Sequence, residues 1–245
     1  MKVMSHNFVN EMMEMIRLVE REERSSVDEA AEWIAESIAA DGLLHLFGCG
    51  HSHILVEDFF YRAGGLVQIN AILETSIMLH EGAVKSSKIE RMEHYAGHIL
   101  DNYTIAPGET IIVISNSGIN GLPVDMAIEA KKRGLRVIAL TSSSYYGLES
   151  RHSSGLKLKD VADLVLDNHI PYGDALVPVP LAGGHMASGS TIIGAMLLQM
   201  VMIAVVSKLA ERGIVPSVYT SGNVPGGAEK NEQFIRTYRS RIRHL

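Results

Sequence analysis

Two stretches of this chain follow the same local plan. One runs Leu43-Leu44-His45-Leu46-Phe47-Gly48-Cys49-Gly50-His51-Ser52-His53 and the other Ile111-Ile112-Val113-Ile114-Ser115-Asn116-Ser117-Gly118-Ile119-Asn120. Each is a short apolar run that breaks into glycine and serine and then opens an amphipathic, helix-forming segment. A continuous apolar run is how a parallel strand covered on both faces reads. Small residues between such a strand and a helix leave backbone N–H groups free at the helix start, where an anion can approach. Two such junctions restrict the fold to the α/β class and point to a phosphorylated small molecule held across the top of a sheet.

The rest of the chain supports that architecture. Apolar residues at three- and four-residue spacing predict a helix from Val3 to Glu23, and a second from about Val27 to Ala40 with Ser26 as its N-cap. Strand and helix then alternate. Strands are expected at Leu43–Phe47, Leu66–Leu73, Thr110–Ser115, Leu135–Thr141 and Asp163–Leu166. Helices are expected from the first junction to Ala63, from about Lys88 to Tyr103 and over Leu122–Arg133. Alternation of this kind predicts a doubly wound, parallel, five-stranded sheet flanked by helices, with an N-terminal helical extension. Residues 1–41 form that extension, 43–212 the α/β core, and 221–245 a turn-rich tail and a last helix, within one domain. The polar stretch Ser142–Lys159 is a long connection, the kind that often carries function.

Composition removes several alternatives. With 47% hydrophobic and 20% charged residues the chain is not a disordered one. A net charge of -6 gives no basic surface for nucleic acid. The single cysteine, Cys49, permits no intrachain disulfide. Residues 1–7 lack the basic-then-apolar pattern of a secretory leader. The longest near-apolar run, Ile192–Val206, is short of the roughly 20 residues a membrane span needs and reads as a core helix. A cytoplasmic protein with no membrane or nucleic-acid partner is expected.

The first junction is not a dinucleotide fingerprint. His53 stands where the third glycine belongs, and Gln68 and Asn70 stand where an acidic residue would meet a ribose. The imidazole and hydroxyl groups of His51 and Ser52 instead add donors that a bare turn does not need. At the second junction a single serine would serve as a helix cap. Ser115, Ser117 and Asn120 together exceed that need and fit a phosphate ester.

These residues carry a resemblance. Gly48-x-Gly50-x-Ser52, Ser115-x-Ser117-Gly118-x-Asn120, Ala130-Lys131-x-x-Gly134 and Val137–Ser142 resemble the sugar isomerase (SIS) domain family, phosphoheptose isomerases and phosphosugar-binding relatives above all. The resemblance covers about Leu43 to Leu166. It implies a phosphosugar bound by Gly48, Gly50, His51, Ser52, His53, Ser115, Asn116, Ser117, Gly118 and Asn120, and dimers or tetramers with sites near subunit contacts. It also implies an aldose–ketose isomerase, with a non-catalytic phosphosugar sensor or a phosphosugar lyase or etherase as the alternatives. The positions of the catalytic glutamate and histidine of phosphoheptose isomerases hold Arg62 and, near the late core helix, Ser190. Isomerisation needs a base that moves a proton between neighbouring carbons. Glu81, after the second strand, and His185, before the late helix, are the candidates that placement supplies. Imidazole suits zinc, and His51-x-His53 with His80 or His185 has a spacing that permits it. No dense His/Cys/Asp cluster accompanies them, so no cofactor is expected.

Overall fold

The computed structural model describes residues 4–180 and 183–245. In chain order the helices are α1 (Met4–Glu22), α2 (Arg24–Ala39), α3 (His51–Phe59), α4 (Ala83–Ile89), α5 (Ala96–Leu100), α6 (Gly121–Lys132), α7 (Leu158–Val161), α8 (Ser190–Glu211) and α9 (Gly227–Tyr238). The strands are β1 (Leu44–Gly48), β2 (Ile69–Ala71), β3 (Thr110–Ile114), β4 (Arg136–Thr141), β5 (Leu164–Asp167), β6 (Val177–Val179) and β7 (Gly184–Met186).

The first five strands pair in parallel in the order β2-β1-β3-β4-β5. The chain therefore winds outward from β1 to one edge and from β3 to the other. The crevice between the carboxyl ends of β1 and β3 is the topological switch point, the place where open α/β sheets hold ligands. The two junctions leave the sheet at this point.

Strand alternation divides the core into two layers. Leu44, Leu46, Ile112, Ile114, Ile138 and Leu140 face α1, α2, α3 and α8. Phe47, Ile111, Val113, Val137 and Ala139 face the layer built by α5, α6 and α7. Burial on both faces explains why the strands read as unbroken apolar runs. One polar group interrupts the second layer. His45 is fully buried, and its Nε2 lies 2.8 Å from Glu109 Oε2. Glu109 also accepts the N–H groups of Leu43 at 2.9 Å and Ala106 at 2.8 Å. Burial acts to raise the Glu109 carboxyl, and the His45 and backbone hydrogen bonds outweigh it, holding the group below the usual carboxylate range.

Several boundaries differ from the sequence expectation. Helix α2 starts at Arg24, so Ser26 is not its cap. The Val27 N–H bonds the Glu23 carbonyl at 2.8 Å and carries helical bonding across the junction with α1. Helix α3 ends at Phe59 rather than Ala63, and β2 keeps only the middle of its expected strand. The segment Lys88–Tyr103 is not one helix. Between α4 and α5 the chain turns through His94, whose φ of 66° is left-handed. The Glu90 carbonyl accepts the Leu122 N–H at 3.0 Å, a tertiary bond that ends the helix early. Hairpin β6–β7 was not visible in the pattern. Helix α8 has 22 residues and, among the described helices, is the one long and apolar enough to cross a membrane. It is longer than the run that predicted it, because Ser190, Thr191 and the turn 207–211 join the apolar centre. Ile193, Leu197, Val201 and Val205 are fully buried against the sheet and its neighbouring helices.

Candidate functional site

A cavity of about 210 Å³ opens at the switch point. His51 and Ser52 reach it from the first junction, and Ser115, Asn116 and Ser117 from the second. Its floor is Ile114 and Leu140, and the remaining wall is Cys49, Leu55, Glu90, Tyr145, Asn168, Asp174, Ser190 and Thr191. Five of the ten residues expected to bind a ligand thus line one space.

The other five support it from behind. At Gly48 an added Cβ would stand 2.7 Å from the Ser52 carbonyl carbon and oxygen, so glycine lets the first turn of α3 close onto the end of β1. Gly118 has φ +63°, and a Cβ there would meet Thr141 Oγ1 at 2.9 Å. Its N–H donates to Ser115 Oγ at 3.3 Å, which fixes that hydroxyl at the turn. The Gly50 N–H is tied to the Ile77 carbonyl at 2.9 Å. His53 does not face the cavity. It is 1% exposed, its Nδ1 bonds the Gly48 carbonyl at 3.0 Å, and burial lowers its pKa. A helix turns about 100° per residue, so His53 cannot share the direction of His51.

Asn120 acts through a neighbour. Its Nδ2 donates to Glu90 Oε1 at 2.7 Å, while its Oδ1 accepts from Arg151 Nη1 at 2.7 Å. Glu90 therefore stands in the cavity wall with one oxygen fixed and with no hydrogen bond to Oε2 among the described residues. Asp174 is closed off. Oδ1 accepts the Gly189 and Ser190 N–H groups, each at 3.0 Å, and Oδ2 accepts the Ser190 hydroxyl at 2.5 Å. It satisfies the positive start of α8. Asn168 Nδ2 donates to Asn116 Oδ1 at 2.8 Å and holds the serine loop in place. Cys49 is buried, and that burial, reinforced by the charge of Glu90, pushes its thiol well above the ordinary value. It is a small wall residue rather than a nucleophile. Among the described residues no Lys or Arg lines the cavity.

Glu81 and His185 are not in this wall. Glu81 lies after β2 and accepts from Lys85 Nζ at 2.7 Å, a bond that, followed by one from Thr75, holds its carboxyl below the ordinary value. His185, on β7, lines a separate groove with Tyr172, Leu176, Glu11 and Met15. In a single chain the two candidates do not converge. His51 and His53 diverge as well, and among the described residues no three His, Cys, Asp or Glu side chains are arranged to hold a metal ion.

The sequence reading missed Glu90, Asn168 and Asp174. Asn168 follows β5 by one residue, so the strand-end rule that found the serines would have found it. Glu90 was hidden inside an expected helix, and Asp174 in the turn Pro171-Tyr172-Gly173-Asp174.

An α/β fold of this topology with both serine junctions on one cavity defines a class, and the sequence comparison agrees with it. The SIS domain model matches residues 7–142, and the chain belongs to that family. It is similar to a UPF0309 protein of Caldanaerobacter subterraneus subsp. tengcongensis, with 44% identity over 242 residues, 97% of this chain and 98% of the relative. A UPF0309 protein of Geobacillus kaustophilus is 41% identical over 240 residues, 98% of this chain and 96% of the relative. Among solved structures, a phosphoheptose isomerase of Neisseria gonorrhoeae shares the fold with a TM-score of 0.54 and 16% identity, covering 82% of this chain and 94% of that one. The NanR protein of Vibrio vulnificus complexed with ManNAc-6P aligns with a TM-score of 0.55 and 15% identity, covering 97% of this chain and 70% of that one.

Proposed function

We propose that this protein binds a phosphorylated sugar at the switch-point cavity and interconverts its aldose and ketose forms. The observation that carries the reading is the convergence of Ser52 from one junction with Ser115, Asn116 and Ser117 from the other on a single space. Hydrogen bonds to a charged group contribute roughly 1.5–3 kcal/mol each. Three of them sum to roughly 4.5–9 kcal/mol, the range of millimolar to micromolar binding before the cost of association is met by the sugar's own contacts. The phosphoheptose isomerases of Neisseria gonorrhoeae and Francisella tularensis, which share the fold, support the isomerase class.

A non-catalytic phosphosugar sensor is the second reading. It is favoured by the position of Glu81 and His185 outside the cavity. It also draws on two fold neighbours, the NanR protein with ManNAc-6P and the sugar isomerase domain of an RpiR transcription factor. Copies of this chain pair in either reading. Ile192, 46% exposed, adjoins the wall residue Thr191, and Ile203 is 66% exposed on the same helix, so pairing over α8 sets the site beside the subunit contact. Glu81 and His185 enter the chemistry only where a neighbouring copy brings them to the cavity.

The test is a panel of pentose, hexose, N-acetylhexosamine and heptose phosphates, with binding followed by calorimetry and carbon-bound proton exchange by NMR in D2O. Binding with exchange supports the isomerase. Binding without exchange across the panel leaves the sensor, and absence of binding refutes both.

A further inference from the structure

The geometry points to Glu90 as the catalytic base of this site, held in its working orientation by Asn120 and Arg151. This rests on the isomerase reading above. A base must reach the reacting carbon, present a free oxygen and keep one direction. Among the cavity-lining groups, Glu90 and Asp174 are the two carboxylates. Asp174 spends both oxygens on the Gly189 and Ser190 donors and is a helix cap. Glu90 spends one oxygen on Asn120 at 2.7 Å and leaves the other without a hydrogen bond among the described residues.

Its support is layered. The Asn120 amide is itself fixed by Arg151 at 2.7 Å, so the fork that holds Glu90 cannot rotate freely. The Glu90 carbonyl is tied to the Leu122 N–H at 3.0 Å, which anchors the backbone to the start of α6. Arg151 reaches Asn120, and no bond from it to Glu90 is formed, so the free oxygen is not neutralised by a cation. The polar wall beside it consists of hydroxyls, amides, the capping carboxylate of Asp174 and His51. His51, the other group there able to move a proton, has no hydrogen bond that fixes its direction among the described residues, whereas Glu90 is held by Asn120.

The step balances without a cofactor. The free oxygen of Glu90 takes the proton from C2 of the open-chain aldose. The C2–H electron pair becomes the C1=C2 bond, and the C1 carbonyl oxygen takes a proton from water in the open cavity. In the resulting enediol the O2 hydroxyl returns a proton to water as its C=O bond forms, and C1 takes the proton back from Glu90. The product is the ketose, with nothing oxidised or reduced overall.

The experiment measures exchange at C2 in D2O for the full-length protein with whichever sugar phosphate the panel identifies, alongside calorimetric affinity. Glu90→Gln is expected to lower exchange by about 10²–10⁴-fold, the range of a general base, with affinity changed less than about threefold. Glu90→Asp, with a shorter reach, is expected to recover part of the rate. Asn120→Ala is expected to lower kcat about tenfold with KM little changed, because it frees the base without removing it. Exchange in Glu90→Gln at the wild-type rate would overturn the assignment and leave the isomerase reading standing. Binding with no exchange in the wild type would overturn the isomerase reading and this assignment together. Circular dichroism melts of each variant separate a lost base from a lost fold.

Discussion

Replacing Gly48 by alanine tests whether the cavity depends on the closeness of β1 and α3. The new Cβ would lie 2.7 Å from both the carbonyl carbon and oxygen of Ser52 and 3.0 Å from its Cβ. Ordinary contact begins near 3.4 Å, so the first turn of α3 must lift by about 0.7 Å. The obstacle is backbone, which no rotamer change relieves. Overpacking of this kind costs roughly 1–3 kcal/mol. For a chain of this size that lowers Tm by about 2–4 °C per kcal/mol. The same movement carries the Ser52 hydroxyl and His51 out of place, and one lost charge-assisted bond of roughly 1.5–3 kcal/mol weakens binding by about 10- to 150-fold. Gly147→Ala is the control, since nothing lies within 4 Å of a Cβ there and its φ is not left-handed. Urea denaturation and calorimetry on both variants decide the matter. Equal stability and equal sugar-phosphate affinity in the two would refute the close-approach argument.

Ser52→Ala and Ser117→Ala are each expected to weaken sugar-phosphate binding by about tenfold or more with the melting temperature unchanged; unaltered affinity in both, by calorimetry, would sink the cradle. Glu109→Ala is expected to cost about 3–5 kcal/mol, because it leaves buried His45 and two N–H groups without their acceptor, while binding at the opposite end of the sheet is retained. The Glu109 carboxyl is lowered in the fold, so its contribution is complete above its unfolded value near pH ~4.3 and is lost as pH falls through the lower folded value. Urea midpoints measured from pH 7 downward should show an acid-limb decline that is smaller in Glu109→Gln. Ile203→Lys places a charge on the exposed face of α8 and is expected to shift sedimentation toward the monomer; an unchanged profile would refute pairing over α8.

The parts of this molecule legible in the sequence are those that local physics decides. Ile111–Ile114 and Val137–Leu140 are apolar on both faces and are bounded by small or polar residues, so their strands and the serine loops after them could be read directly. The five wall residues at the junctions followed from that. Glu90 was not legible because a tertiary bond from Leu122 decides where its helix stops, and nothing near Glu90 in the chain carries that information. His53 failed for a different reason. It belongs to the right loop, but one residue of helical rotation turns it into the interior, where it bonds the Gly48 carbonyl. Spacing along a chain identifies a loop more readily than it identifies the face of the helix the loop opens.

Among the described residues no Lys or Arg stands in the wall, and that decides how a ligand can lie in it. A phosphate there must be held by hydrogen bonds from neutral groups, and the helix starts around the cavity are not equally available. Asp174 already fills the start of α8. In the first turn of α3 the Ser52 N–H is engaged by the Cys49 carbonyl at 3.0 Å and the His53 N–H by the Gly50 carbonyl at 3.2 Å, which leaves the His51 N–H without a carbonyl partner among the described residues. At the second junction the Asn116 and Ser117 N–H groups donate to no carbonyl among the described residues, and the Ser115 and Ser117 hydroxyls stand beside them. A phosphate therefore has its best partners at the end of β3. The Ser52 hydroxyl reaches the same phosphate from across the cavity, and the sugar runs toward β1, where His51 and the free oxygen of Glu90 stand. The two junctions, alike in sequence, divide the work: the second supplies free N–H groups to the anion, and the first adds one hydroxyl to it and presents the group that meets the carbons.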